Sequence, residues 1–116
     1  MSRTHLLERR LIDFVAERGW MKFHTPRNLA TSISLEAGEL LEHFQWDINS
    51  GCPPDQRNRE ELADEAADIF IYLLLFCQLL GVDIIDAAHR KIDKNAIKYP
   101  VEKSRGVSTK YDKLPK

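Results

Sequence analysis

The stretch from Asp55 to Leu80 limits the possible folds most strongly, because its second half is apolar on every side of a helix. Residues 69–76 read Ile-Phe-Ile-Tyr-Leu-Leu-Leu-Phe, and no charged residue occurs from Ile69 to Val82. That uncharged run is too short to cross a bilayer, so we expect a buried helix and no membrane association. A helix that is apolar all round must be covered all round, and 116 residues are too few to cover it alone. The chain is therefore predicted to be an obligate homo-oligomer, at least a dimer, with this helix in the shared core.

Three other segments place apolar residues at helical spacing, and residues typical of turns and caps separate them. Gly19 ends the first segment because glycine tolerates positive φ, and Thr25-Pro26 opens the next with a capping hydroxyl and a proline suited to a first turn. We expect an all-α fold, a four-helix chain in an oligomeric helical bundle. A helical domain should cover residues 1–100, and a basic tail over 101–116 should contribute to the site or the oligomer. The predicted helices run from about 4 to 18, from 26 to 46 or 47, from Asp55 to Leu80, ended by Gly81, and from Asp83 to Tyr99, before Pro100.

The charge of the chain is divided unevenly between its two parts. The net charge of −1 combines 8 Lys and Arg against 13 acids in residues 1–82 with 9 against 5 in residues 83–116. An acidic front and a basic tail fit a metal site in one part and phosphate contacts from the other. A duplex nucleic-acid binder would show a basic excess overall, so that class is not expected.

The cysteines and the N-terminus bear on the compartment. Cys52 and Cys77 form no C-x-x-C motif and have no Cys/His spacing suited to zinc, so plain thiols in a reducing compartment are the simpler interpretation. The first ten residues hold no apolar core like that of a signal peptide. We therefore expect a cytoplasmic protein.

Two pairs of acidic residues form the strongest chemical feature. Glu36 and Glu39 lie three apart in the second predicted helix, and Glu65 and Asp68 repeat that spacing in the third. Residues three apart share a helix face, so the four carboxylates converge if the two helices pack together. Like charges at that separation are costly without a cation, and Mg²⁺ or Mn²⁺ prefers oxygen ligands. The alternative is that each pair belongs to a solvated helix face.

Aromatic residues accompany the acids. His43 and Trp46 continue the face of the first acid pair, and Tyr72 continues the face of the second. The connector Trp20–His24 is also unusually aromatic for an exposed loop, and it could equally cap the core. Acids beside an indole and a phenol indicate a metal next to a flat ligand that can stack.

Two further features suggest close contact with a ligand. Gly38 stands inside a helix between the two glutamates, where glycine costs roughly 1 kcal/mol relative to alanine. Close approach of another backbone or of a ligand would account for it. Lys91, Asn95 and Lys98 place three donors on one face of the fourth helix, which matches a polyphosphate, although a solvated basic face is the commoner meaning.

With these residues in place, the sequence resembles the all-α nucleotide pyrophosphohydrolases of the MazG-like superfamily, and within it the dCTP pyrophosphatase branch. The two acid pairs define the superfamily, and the connector, Trp46 and the tail indicate the branch. The resemblance extends from about Leu11 to the end of the chain. It is carried by residues 23–29, 36–40 with 44–46, 61–68 with 71–72, 91–95 with 98–100, and 104–115.

The resemblance implies an activity: hydrolysis of a nucleoside triphosphate between its α and β phosphates, giving a monophosphate and pyrophosphate. It implies dCTP or a related or modified pyrimidine nucleotide as substrate, and dimers paired into tetramers. The implied metal ligands for Mg²⁺ are Glu36, Glu39, Glu65 and Asp68, with Glu36 and Glu39 catalytic and Glu39 orienting the water. The implied substrate contacts are Trp20, Met21, Lys22, Phe23, His24, Trp46 and Tyr72 around base and sugar, and Lys91, Asn95 and Lys98 at the phosphates, with Arg105 or Lys110 as weaker candidates.

One position departs from the branch, and two rival interpretations remain. Relatives in the dCTP branch can carry a histidine nine residues before the connector tryptophan, where this chain has Leu11. A di-iron carboxylate bundle would need Glu-x-x-His pairs, which the chain lacks. A catalytically silent helical bundle that binds nucleotide or a partner as a sensor is the alternative of another class, and the four intact acids argue against it.

Overall fold

The computed structural model describes residues 1–46 and 58–116, and all regular structure within those ranges is helical. The predicted all-α class is therefore confirmed. The predicted loop over residues 49–54, the Asp55 cap and Cys52 lie outside the described residues. The helices are α1 (Arg3–Glu17), α2 (Pro26–Glu42), α3 (Arg59–Leu80), α4 (Ile84–Lys98) and the short α5 (Val101–Ser104), with single 3₁₀ turns at Met21–Phe23 and Tyr111–Lys113.

Local capping chemistry explains most of these bounds. The Thr25 hydroxyl accepts a hydrogen bond from the Asn28 N–H at 3.2 Å, and one Asp83 carboxylate oxygen accepts from two N–H groups in the first turn of α4. Gly19 follows α1 and Gly81 caps α3, with φ of 66° and 71°. The predictions for these ends are confirmed.

The C-terminal end of α2 differs from the prediction. The helix ends at Glu42, whereas the sequence pattern extended it to Trp46 or Asp47. The N–H groups of residues 43, 44 and 45 donate to carbonyls three residues back, so the chain tightens into turns beyond Glu42. Apolar spacing does not distinguish such turns from another turn of α-helix.

The described chain divides into two compact units, Met1–Val82 and Asp83–Lys116. In the first unit, α2 packs along α3, and α1 also contacts α3. The buried apolar side chains come from all three helices, so α3 is the common wall of this core. The predicted division into residues 1–100 and 101–116 stays a prediction. The buried core residues are Leu11, Val15, Leu29, Leu74 and Leu75.

The second unit consists of α4, α5 and the tail. The Tyr111 ring meets Tyr99 edge-on with centroids 6.1 Å apart, and the Lys98 ammonium lies 4.7 Å from the Tyr111 centroid. The tail contains two short regular elements, α5 and a 3₁₀ turn, although no apolar helical spacing predicts them. Contacts to the end of α4 give the tail an anchor that its polar composition does not reveal.

Some apolar surface on α3 is not covered by the described part of the chain. Leu74 is fully buried, yet Leu80 is 55% exposed and Phe70 and Leu79 are exposed too. Cys77 is a free, half-buried thiol whose pKa is raised by burial and, to a smaller extent, by the charge of Glu8. Among the described residues no single helix is long and apolar enough to cross a bilayer; α3 and α4 reach that length and hydropathy only when taken together across the break between them.

Candidate active site

Three of the four predicted acidic ligands come together where α2 packs along α3. Glu36 of α2 and Glu65 and Asp68 of α3 each offer a carboxylate oxygen, and these oxygens lie within 4.8 Å of one another. Oε2 of Glu36 and Oε2 of Glu65 are buried and have no hydrogen-bond partner among residues 1–46 and 58–116. Unpartnered buried oxygens of like charge are costly, and a hard divalent cation satisfies them. The donor set therefore fits Mg²⁺ or Mn²⁺.

Glu39 lies beside this group of three. Its exposed side chain is close enough to Glu36 to raise the pKa of that residue, but it does not belong to the set within 4.8 Å. Together with Glu42, His43 and Glu65 it lines an open, polar cavity of about 330 Å³. Glu39 thus lies near Glu36 but lines this polar cavity instead of joining the group of three.

The pKa of Glu36 shows how strongly the carboxyl groups interact. Burial, as the largest cause, together with the nearby carboxyl group of Glu39 and the charges of Asp68 and Glu65, raises that pKa from 4.5 to about 7. Without a cation the cluster therefore holds a proton near neutral pH. A divalent cation would replace that proton, because its charge favours the ionised carboxylates.

An apolar cavity of about 400 Å³ adjoins the acid cluster. Asp68 belongs to both, so a ligand in the cavity can reach the carboxylates. Three of the predicted substrate contacts, Trp20, His24 and Tyr72, line this cavity. The Nδ1 atom of His24 is buried, and no described residue forms a hydrogen bond with it. The complete lining is Leu7, Arg10, Leu11, Phe14 and Val15 of α1, Trp20 and His24 of the connector, and Asp68, Ile71, Tyr72 and Leu75 of α3.

Contacts to α1 and α2 hold the connector in place. The Trp20 ring meets the Phe14 ring edge-on, with centroids 5.8 Å apart. The Arg18 guanidinium lies over the same Phe14 ring, 3.7 Å from its centroid. At the other end, the Asn28 side-chain amide donates to the Phe23 carbonyl at 2.8 Å. The bond fixes the backbone directly before His24.

Other predicted site residues lie away from this cavity or in the second unit. The side chains of the 3₁₀ turn Met21–Phe23 are exposed and are not among its lining residues, and Trp46 is 85% exposed. Lys91, Asn95 and Lys98 all belong to α4, where Lys91 and Lys98 are exposed and Asn95 is half-buried.

Two features of the site differ from what the sequence predicts. The sequence analysis named no site residue in the first helix apart from the departure at Leu11, yet Arg10 and Phe14 of α1 line the cavity. A charged Arg10 between the apolar positions Leu7 and Leu11 was the available signal. Gly38 was expected to allow a close approach, but among the described residues nothing lies within 4 Å of where its Cβ would stand.

Comparisons with known proteins agree with this architecture. The chain is 41% identical over 107 residues to dCTP pyrophosphatase 1 of Mus musculus and 43% identical over 106 residues to that of Bos taurus. These alignments cover 90% and 89% of this chain but 63% of the length of each relative.

A solved structure and a family description extend the comparison. A pyrophosphatase from Archaeoglobus fulgidus has a similar structure, with a TM-score of 0.79 and 42% identity over 86% of this chain and 94% of that one. Residues 31–114 match the sequence pattern of the MazG-like family. This range includes both acid pairs and the basic face of α4. The chain belongs to the MazG-like family.

Proposed function

We propose that the chain is a Mg²⁺-dependent pyrophosphohydrolase that cleaves a nucleoside triphosphate to a monophosphate and pyrophosphate. The observation that carries this proposal is the position of Asp68, which belongs to the acid cluster and also lines the apolar cavity. A nucleotide has two parts that match, a flat base for the cavity and a polyanion that needs a cation. Membership of the MazG-like family and the likeness to dCTP pyrophosphatases support the same activity.

The acidic residues divide into ion-holding and proton-handling groups. Glu36, Glu65 and Asp68 would hold Mg²⁺, or Mn²⁺ in its place. When bound, the ion neutralises phosphate oxygens and lowers the pKa of a coordinated water. Glu39 is exposed and stands beside Glu36 but outside the group of three, which suits it to orient the attacking water and accept its proton.

The apolar cavity is the proposed site of the base. Trp20, His24 and Tyr72 line this cavity, and the rings of Trp20 and Tyr72 offer two aromatic faces to a base. The likeness to dCTP pyrophosphatases favours dCTP or a related or modified pyrimidine nucleotide. Leu11 is buried in the wall of this cavity, so the position at which relatives can carry histidine supplies no hydrogen bond here.

The remaining predicted contacts and the oligomer stand as part of the proposal. Met21, Lys22, Phe23 and Trp46 are exposed side chains that could close over a bound nucleotide or contact a second copy. Lys91, Asn95 and Lys98 are proposed for the phosphates, and residues 101–116 for the site or the oligomer. Exposed apolar residues on α3, together with the small core, support a homo-oligomer, a dimer or a dimer of dimers.

A panel of nucleoside triphosphates tests the activity and the preference together. Pyrophosphate release should require Mg²⁺, should be fastest with a pyrimidine deoxynucleotide, and should be lost in Glu65→Gln. Glu60→Gln is the matched control, since Glu60 is an exposed glutamate in the first turn of the same helix. Binding of nucleotide without pyrophosphate release would instead indicate the silent sensor.

A further inference from the structure

His43 lies directly after the last residue of α2 and faces α3. Its side chain is 21% exposed, and its Nε2 atom is 3.5 Å from Oε1 of Glu65. Its other nitrogen, Nδ1, is 3.9 Å from Oε2 of Glu61, a distance too long for a hydrogen bond. Glu61 is 71% exposed, so its contact with the ring is a loose surface contact. The shorter and less exposed contact of the imidazole, long for a hydrogen bond, is therefore the one with Glu65.

The two oxygens of Glu65 are in different situations. Oε1 faces the His43 ring, whereas Oε2 is buried and has no hydrogen-bond partner among the described residues. The Glu65 side chain is 21% exposed, so little water is available to orient it. A donor on one oxygen restricts the rotation of the carboxylate and leaves the other oxygen for an ion.

We propose that His43 is a positioning residue for Glu65, with its Nε2–H donating to Oε1 so that Oε2 stays available to a divalent cation. This proposal rests on the proposed function, in which Glu65 is a metal ligand. A neutral imidazole with its proton on Nε2 is sufficient for this role. His43 also lines the polar cavity with Glu39 and Glu65.

A purely structural role for His43 gives a different expectation. If the ring only fills space at the end of α2, its replacement changes the free energy of unfolding but not the affinity of the folded protein for a cation. A residue that orients a metal ligand changes that affinity, commonly by about 10- to 100-fold. The affinity for the ion alone, measured without nucleotide, separates the two roles.

The test measures Mn²⁺ binding to the full chain without nucleotide. Electron paramagnetic resonance detects the free ion. The Kd should rise about 10- to 100-fold in His43→Leu and return toward the wild-type value in His43→Gln, whose amide keeps an N–H donor. His5→Leu is the matched control, since His5 Nδ1 also stands near a glutamate, 3.8 Å from Glu8 Oε2, at an exposed site on α1. The Kd of the His5→Leu variant for Mn²⁺ should equal that of the wild-type protein.

The outcomes separate the positioning role of His43 from the proposed function on which it rests. Wild-type affinity in His43→Leu would overturn the positioning role while leaving the metal site intact, and so would a glutamine variant as weak as the leucine variant. Wild-type protein that binds no Mn²⁺ would overturn the metal site and with it both proposals. Circular dichroism and urea unfolding of each variant establish that the compared proteins are folded.

Discussion

At Glu36, burial and three neighbouring carboxyl groups all raise the pKa of the side chain. The pKa of about 7 is high enough that the cation-free protein is still protonated there at neutral pH. Perturbed carboxyl groups of this kind concentrate at functional sites, because charge is gathered there for a ligand and not for stability. The cluster thus disfavours its own ionised state until a cation binds.

The stability of the cation-free protein should depend on pH through Glu36. Unfolded Glu36 loses its proton near pH 4.5 and folded Glu36 near pH 7, so between these values the folded state binds more protons. The stabilisation is complete below about pH 4.5 and is lost as pH rises through about 7. Glu36→Gln should lack this fall, with a difference on the order of 1 kcal/mol because solvent screens the site.

Urea unfolding with EDTA at several pH values measures this effect. The groups that face Glu36 are Glu39 on its own helix and Glu65 and Asp68 on α3, and all three remain in the variant. Parallel pH profiles for wild type and Glu36→Gln would contradict the raised pKa.

Trp20 gives a second prediction at the scale of single residues. Its ring lines the apolar cavity and is held by Phe14. Trp20→Ala should raise KM for the nucleotide about 10-fold with a smaller effect on kcat, because stacking on a base is worth roughly 1–3 kcal/mol. Steady-state kinetics checks this, and an unchanged KM would remove Trp20 from the base site.

At the scale of helices, the predictable features were those with local causes. Thr25, Asp83 and Gly81 act through their own neighbours along the chain, so the sequence indicates them directly. Features that depend on packing were less accessible. Glu36 and Glu39 are about 60° apart around the helix axis, so a three-residue spacing allows both to face α3 but does not require it. The α1 wall of the cavity likewise depends on how α1 contacts α3.

Gly38 provides a test at this scale. A glycine inside a helix, with open space where a Cβ would stand, gains nothing from the missing side chain in this chain alone. Gly38→Ala should therefore raise the free energy of unfolding by about 0.5–1 kcal/mol. Thermal and urea unfolding measure the change. A loss of stability would mean that a second copy or a ligand lies against this face of α2.

At the scale of the molecule, the imbalance between core and exposed apolar surface is the main feature. Leu74 and Leu75 are buried, but Leu35, Leu41 and Leu80 are each more than half exposed. The sequence predicted the excess from the third helix alone, and it could not indicate which faces a partner covers. That depends on surfaces formed only when the helices are packed.

The oligomer is tested by size-exclusion chromatography with light scattering. We expect a mass of two or four times 13.4 kDa that persists on dilution, because the uncovered apolar surface favours association. Leu80→Glu places a charge on exposed α3 surface and should weaken the assembly, whereas Arg3→Glu, at an exposed position in the first turn of α1, should not. A stable wild-type monomer would contradict the prediction.

Cation-dependent cleavage between the α and β phosphates is the central claim, and phosphorus NMR of the reaction tests it most directly. Wild-type protein with Mg²⁺ and dCTP should yield signals of a monophosphate and of pyrophosphate, and EDTA should abolish them. Unchanged triphosphate in the presence of Mg²⁺ across the nucleotide panel, or formation of a diphosphate and inorganic phosphate, would contradict the account.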